Sequence, residues 1–450
     1  MLKALKTILH MAVPLATTRG LQAVRTFVLM AMLAQLGHDT LAASALISSI
    51  QIAIVVSFIS CFFALGSIVG REFAAKNFSA IGIILQQSWI LSSLFSIVMI
   101  IVYLFMGSIL HAMHQPAELI PYVSKYFAMM TLGAPAIFAV VICQQFLCAI
   151  KKQLYVTIVN VVGLFFTIIL GYGLIFGHFG LPKLGVSGAA LAIAIRLWAT
   201  LVIYLVIIKS KQFNKYKIFS IRLKDSFKWL KLIMRVGFPI AMGTASNMLV
   251  ILIYVTLIGW LGQESLAANQ IVNQYIILSI VLMFGISEAS GIVVGHAYGE
   301  RNFSTINQLG WLSVACGMAV TVIGAILFIT FMKPLADVFL QLHEIDGQAI
   351  YKIVQWVLLL RAFGMLFDGT ADILIGALRG LYDTTFPMLV GWVTAWLISV
   401  PLGYYLGFTM KLGLLGVSLG IILAMIINAL LLMWRWHRKT KLLEYKYAGE

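Results

Sequence analysis

Three carboxylates interrupt otherwise apolar stretches of this sequence: Glu288, Asp368 and Asp372. Asp368 and Asp372 stand four residues apart, about 6 Å along a helix axis. Two negative charges that close cannot both persist in a dry site, and one shared proton or sodium ion resolves the conflict. Arg361 lies seven residues before Asp368 and eleven before Asp372, so the three share one helix stripe. The chemistry this arrangement offers is reversible cation binding. The alternative is a structural polar network that locks helices together. Glu288, between Ser287 and Ala289-Ser290-Gly291, is either a proton carrier or the partner of an arginine. The N-terminal half shows the reverse pattern, with Arg19, Arg25 and Arg196 inside apolar stretches and no acid among them. A guanidinium does not readily shed its charge. Either these residues face a wet cavity and attract an anionic part of a solute, or Arg19 snorkels to the headgroups and Arg196 is a structural bond donor.

The elements that position these groups follow from composition. Of 450 residues, 62% are hydrophobic and 10% charged, against roughly 25% charged in soluble proteins. A bilayer is the solvent for such a chain. Runs long enough to cross it, about 20 residues each, fall at 9–36, 41–70, 83–110, 122–150, 154–178, 185–208, 236–261, 265–295, 307–332, 349–378, 386–408 and 413–434. Each must be helical, because lipid offers the backbone no hydrogen-bond partner. The fold class expected is therefore all-α and integral to the membrane, with about twelve transmembrane helices. Lys3 and Lys6 precede an apolar stretch that runs on to Leu36 without a cleavage site, so it reads as the first span.

The connections alternate in charge. One side carries Lys3, Lys6, Arg71, Lys76, Lys151, Lys152, the segment Lys209–Arg235, Arg301, Arg379 and the tail from Arg435 to Lys446. These are 22 of the 31 Lys and Arg residues; the other side holds 5, namely Lys125, Lys183, Lys333, Lys352 and Lys411. The positive-inside rule places both termini in the cytoplasm, which requires an even number of spans. The net charge of +16 is thus a topology signal, and no nucleic-acid partner is expected.

The chain also repeats itself. Residues 14–81 align without gaps on 239–306. Pro14 meets Pro239, Leu36-Gly37 meets Leu261-Gly262, Leu41-Ala42-Ala43 meets Leu266-Ala267-Ala268, and Asn77-Phe78-Ser79 meets Asn302-Phe303-Ser304. Gly66 and Gly70 meet Gly291 and Gly295, spaced for close helix packing. Leu184-Gly185-Val186-Ser187 returns as Leu415-Gly416-Val417-Ser418. Six spans per half give parallel repeats, a transporter signature with the solute site expected between halves. The expected division is an N-terminal bundle at 1–208, a basic cytoplasmic linker at 209–235, a C-terminal bundle at 236–436 and a basic tail at 437–450. The linker reads as an amphipathic surface segment through Phe213, Ile218, Phe219, Phe227 and Trp229.

These repeated elements, together with Gly376-Ala377-Leu378-Arg379-Gly380-Leu381-Tyr382-Asp383 and the following Pro387, resemble the multidrug and toxic compound extrusion (MATE) family over nearly the whole chain. The resemblance implies two six-helix bundles around a central cavity and proton- or sodium-driven export of organic solutes. It puts the family's tenth-span Asp on Asp368, eight residues before Gly376. The first-span Asp of many bacterial members, eight residues before the glycine matching Gly37, is Leu29 here, and its repeat mate is Tyr254. Where some members carry an acid in the seventh span, near Asn247, the side chain is neutral. The resemblance thus implies a cation site in the C-terminal half, at Asp368 with Asp372 and Glu288. It also associates bending of the first span with gating, which directs attention to Pro14 and Pro239; a static break at proline is the alternative.

Arg19, Arg25, Asn247, Tyr254 and Arg361 are the candidates for a substrate cavity. Asn160, Asn269, Gln270, Asn273 and Gln274 would line a pore or bond between helices. His111 and His114 fall by an outer loop, where solvation is expected. Cys61, Cys143, Cys148 and Cys316 form no CxxC pair and read as small buried hydrophobes. No GxxxxGK[ST], HExxH or GxSxG motif is present, so neither ATP-driven work nor an enzyme is expected. No cofactor is expected beyond a coupling proton or sodium ion. The partners expected are the bilayer and a small-molecule substrate, the state a monomer, and the location the plasma (inner) membrane. Two functions remain: a cation-coupled exporter of small organic molecules, or a flippase of a lipid-linked or amphipathic substrate.

Overall fold

The computed structural model describes residues 2–219, 227–330 and 345–447. Every regular element among them is helical. Twelve long helices follow the expected spans. In the first half they are α1 (Leu2–Ala34), α2 (38–74), α3 (Phe78–Leu104), α4 (Ile120–Ala149), α5 (Gln153–Phe176) and α6 (Val186–Lys209). In the second they are α7 (Lys228–Trp260), α8 (Gln263–Gly299), α9 (Phe303–Thr330), α10 (Ile345–Gly380), α11 (Thr385–Thr409) and α12 (Gly413–Tyr447). Among the described residues, ten of these are long and apolar enough to cross a membrane, α8 through its stretch Ile280–Gly299. The two that fall short are α1 and α10. They carry Arg19 and Arg25, and Arg361, Asp368 and Asp372, so the charges that lower their hydropathy are the same ones that suggest chemistry.

The repeat is visible in backbone geometry as well as in residue identity. Gly37 and Gly262, the N-caps of α2 and α8, adopt φ of 127° and 108°, a region that side chains other than hydrogen avoid. At the far ends of the same helices, Lys76 and Arg301 both turn left-handed, at φ 59° and 56°. Each of these pairs is separated by the same offset that aligns Pro14 with Pro239.

By packing, the chain forms two units: residues Thr17–Ala241, and Met1–Ala16 together with Met242–Glu450. The expected cuts at 208, 235 and 436 differ from this grouping. The opening segment of α1 packs with the C-terminal unit, where Ala16 lies where a Cβ on Gly285 of α8 would sit, 2.6 Å from its backbone nitrogen. The opening segment of α7 packs with the N-terminal unit, where Gly237 abuts the carbonyl of Cys61 in α2. Both helices pass from one unit to the other just after their prolines, and both remain helical through them.

The linker is more than a surface strap. Residues Lys211–Tyr216 form a 3-10 turn, and Phe213 and Tyr216 are buried. Gln86 Nε2 on α3 donates to the Ile218 carbonyl at 3.0 Å. Gly82 of α3 leaves room for the Tyr216 carbonyl, and Tyr216 meets Phe78 and Phe146 edge-on at 5.5 and 5.4 Å. Of the five apolar residues expected to lie on a membrane surface, Phe213 and Ile218 are instead buried in protein, whereas Phe219 and Phe227 are exposed. Trp229 is half-buried at the start of α7, and residues 220–226 and Lys333 lie outside the described residues.

Candidate functional site

The acidic stripe sits where α8 and α10 press together. Gly376 of α10 abuts the Ser287 carbonyl, and a Cβ on Gly380 would come within 2.7 Å of the Gly291 carbonyl. Glycine at both points lets the two backbones approach. Ser287 Oγ then donates to the Asp372 carbonyl at 2.6 Å, tying the turn that contains the acid pair to the residue beside Glu288. One position from Asp368, a Cβ on Gly369 would stand 3.2 Å from Thr321 Oγ1 on α9 and against the end of Met283 on α8.

Arg361, Asp368 and Asp372 are each half-buried. Arg361 has Asp368 and Tyr254 as electrostatic neighbours, and Asp372 has Asp368 and Arg379. The sequence-expected stripe is therefore electrically continuous along α10 and reaches Tyr254 on α7. Glu288 is buried at 8% exposure. Asn247 is exposed, while Ser246 beside it is buried and accepts from Trp396 Nε1 at 2.8 Å.

Tyr254 adds a contact that spacing did not reveal. Its hydroxyl is hydrogen-bonded to Ser399 Oγ, and Ser399 closes the π-helical segment Val393–Ser399 of α11. A π turn inserts an extra residue into the helix and re-aims the side chains beyond it. The signal in the sequence was only a serine before Pro401, which is weak. Among the other polar candidates, Asn160 Nδ2 bonds its own helix at the Val156 carbonyl, 2.9 Å away, Asn269 is buried, and Gln270 is exposed. The Gln274 side chain lies outside the described residues.

The N-terminal unit carries cations instead. Arg19 stacks over the Phe63 ring at 5.1 Å and donates to Gln22 Oε1 at 3.4 Å, a cation–π contact. Phe63 occupies the place that Glu288 takes in the other repeat, so one scaffold position holds an aromatic face for a cation in one half and an acid in the other. Arg25 is half-buried, and Arg196 is buried at 6% exposure. Leu29, standing where an acid was absent from the sequence pattern, is a buried apolar residue at 7% exposure. Cys61, Cys143 and Cys148 are buried and unbridged, with Cys316 half-buried and unbridged. Among the described residues no group of His, Cys, Asp and Glu is arranged to hold a metal. His111 and His114 are exposed.

Comparison with known proteins places these features in context. The MatE family model matches residues 14–173 and 239–405, one match in each half. The probable multidrug resistance protein NorM of Synechocystis sp. is 26% identical over 96% of this chain and 94% of its own. The Bacillus subtilis protein of the same description is 24% identical over 97% and 96%. Among solved structures, the outward-facing conformation of a multidrug resistance MATE family transporter of the MOP superfamily superposes with a TM-score of 0.87 at 19% identity, covering 98% of this chain and 97% of that one. A MOP superfamily transporter from Pyrococcus furiosus, described as having a binding pocket of reversed polarity, superposes at 0.85 with 19% identity and the same coverage.

Proposed function

Because this chain belongs to the multidrug and toxic compound extrusion (MATE) family, a family of multi-pass membrane transporters and not of enzymes, we propose that it exports small organic solutes or drugs by antiport with protons or sodium. Its full-length likeness to proteins described as multidrug resistance proteins supports the direction and the breadth of substrate. The two six-helix halves work by alternating access, in the inner membrane, with both termini cytoplasmic and one chain as the working unit.

The observation that carries the coupling role is the Arg361–Asp368–Asp372 stripe on α10, held against α8 by the Ser287 bond to Asp372. A cation at Asp368, with Asp372 or Glu288 assisting, neutralises a charge that is costly inside the membrane. The cation and the solute then favour different states of the transporter, and the difference in affinity couples their movements.

The test is efflux from proteoliposomes across a substrate panel, with pH and sodium gradients imposed separately. Asp368→Asn is expected to lower gradient-driven movement by about tenfold or more while solute counterflow persists. Unchanged coupling in that variant removes Asp368 from the role. A second reading, flipping of a lipid-linked or amphipathic substrate, is favoured by one observation: the buried cations of the N-terminal unit suit a phosphate headgroup. Headgroup translocation by the purified protein without solute efflux decides for it.

A further inference from the structure

Arg25 and Arg196 are left over once the coupling residues are assigned. They lie in one packing unit, on α1 and α6, and Arg25 is an electrostatic neighbour of Arg196. The acids of residues 17–241 are Asp39, Glu72, Glu118 and Asp225. Asp39 stands in the first turn of α2, Glu72 in its last turn and Glu118 in a connection, and Asp225 lies outside the described residues. Glu72 already accepts from Asn77 Nδ2 at 2.8 Å. Among the described residues of this unit, two guanidinium groups therefore lie in a helix bundle with no buried carboxylate. Arg cannot escape this by releasing a proton.

Among the described residues, two buried groups here that can donate lack a partner, Arg196 Nε and the Tyr103 hydroxyl. Arg196 is 6% exposed, and its Nε has no hydrogen-bond partner among the described residues. Tyr126 neighbours Arg25 and donates its hydroxyl to Gln51 Oε1 at 2.9 Å. Tyr204 neighbours Arg196 and accepts from Gln144 Nε2 at 3.3 Å, which leaves its own hydroxyl hydrogen to give. Tyr103, next to Tyr126 and 1% exposed, likewise has a hydroxyl without a partner. On the facing helix α5 the residue opposite Arg196 is Gly163; a Cβ there would still stand 3.9 Å from Arg196 Cδ and from Thr200 Oγ1. Glycine at 163 thus lets the Arg196 stem pass close to α5, where a Cβ would only reach van der Waals contact. A buried donor left unpaired is costly, and two like charges without a counter-ion are more so.

We propose that the N-terminal unit binds an oxyanion, the carboxylate or phosphate group of a ligand, between Arg25 and Arg196, with the Tyr103 and Tyr204 hydroxyls as further donors. The planar fork of an arginine matches either group with two parallel hydrogen bonds. The inference goes beyond the export reading by naming the ligand's chemistry: a substrate of this chain carries an anionic group, alone or in a zwitterion.

The experiment uses the full chain in nanodiscs of neutral phosphatidylcholine, titrated calorimetrically with benzoate and with inorganic phosphate. A parallel arm replaces part of the lipid with phosphatidylglycerol and follows the thermal midpoint. Saturable binding of benzoate or phosphate in neutral discs is expected, weakened about tenfold or more in Arg25→Gln and Arg196→Gln. Binding of the free anions assigns the site to a soluble ligand. A response confined to the anionic lipid, and lost in the same variants, assigns it to a headgroup. If Arg196→Gln does not fold, Arg25→Gln and the wild-type titration still decide. No saturable response of the folded wild type in either arm, or binding unchanged in Arg25→Gln, overturns the proposal. No ion gradient is used, so the outcome stands apart from whether export is cation-coupled.

Discussion

The hydroxyl of Ser287 donates to the backbone carbonyl of Asp372 over 2.6 Å. That bond joins α8 to α10 at the turn bearing the paired acids, one residue from Glu288. It makes the position of the carboxylates a property of the helix pair and not of α10 alone. Ser287→Ala is therefore expected to cost about 0.5–1.5 kcal/mol of stability and to weaken coupling more than it weakens solute binding. Comparing thermal midpoints with gradient-driven efflux checks both parts. Equal losses in coupling and in binding reduce the bond to scaffolding.

The carboxylates themselves separate by role. Asp368→Asn is expected to lower gradient-driven efflux by about tenfold or more, a barrier or coupling change of ~1.4 kcal/mol or above. Asp372→Asn and Glu288→Gln are expected to lower it less, because each assists and neither replaces Asp368. Flux measured under a proton gradient and under a sodium gradient reads all three variants. A larger defect in Glu288→Gln than in Asp368→Asn reverses the assignment.

Close approach of α8 and α10 rests on glycine. A side chain at Gly376 meets the Ser287 backbone, which cannot rotate away as a flexible side chain would. Gly376→Val is expected to cost about 1–3 kcal/mol. Gly391, with nothing near its missing Cβ, is the control in the neighbouring helix, and Gly391→Ala is expected to leave the midpoint nearly unchanged. A melt that treats the two alike argues against tight packing at this crossing.

An ion triad fastens the end of α12. Asp383, 8% exposed, accepts from Arg435 Nε at 2.9 Å and Nη2 at 2.8 Å, with Lys439 Nζ at 3.3 Å. Arg435 also covers the Phe386 ring at 4.6 Å. Asp383→Asn leaves two cations facing one another across a neutral amide, and a loss of about 1–3 kcal/mol is expected. Because Arg435 and Lys439 are partly solvated, the wild-type contribution is expected to shrink as salt is raised. Melting at low and high ionic strength measures it.

Outside the spans, Tyr216 holds the linker against α3. Burial pushes its phenol from 10.0 up to about 12, since desolvation penalises the phenolate. A raised acid retains its proton in the folded state longer than in the unfolded one. Its stabilising contribution is therefore full below pH 10 and is lost as the pH rises from there to about 12. Linker docking, followed by limited proteolysis, is expected to loosen over that window. In Tyr216→Phe, which cannot ionise, the step is expected to disappear.

Some of this was written in the residue order. Apolar runs and alternating loop charge define twelve helices whatever their neighbours do, because unpaired backbone is forbidden in lipid. The repeat was legible because Pro14 and Pro239, Gly37 and Gly262, and Lys76 and Arg301 serve local backbone needs, which keep their spacing. The acidic stripe was legible because Arg361, Asp368 and Asp372 belong to one helix and share its period. What crosses between helices was not. The Tyr254–Ser399 bond, the Ser287–Asp372 bond, the Arg19–Phe63 contact and the Arg25–Arg196 pair depend on how each helix is rotated and where it crosses its neighbour. In a soluble protein the apolar stripe of a helix reports that rotation. Here the face toward lipid and the face toward protein are equally oily, so the pattern carries no such information, and only the packed structure decides which buried charges meet.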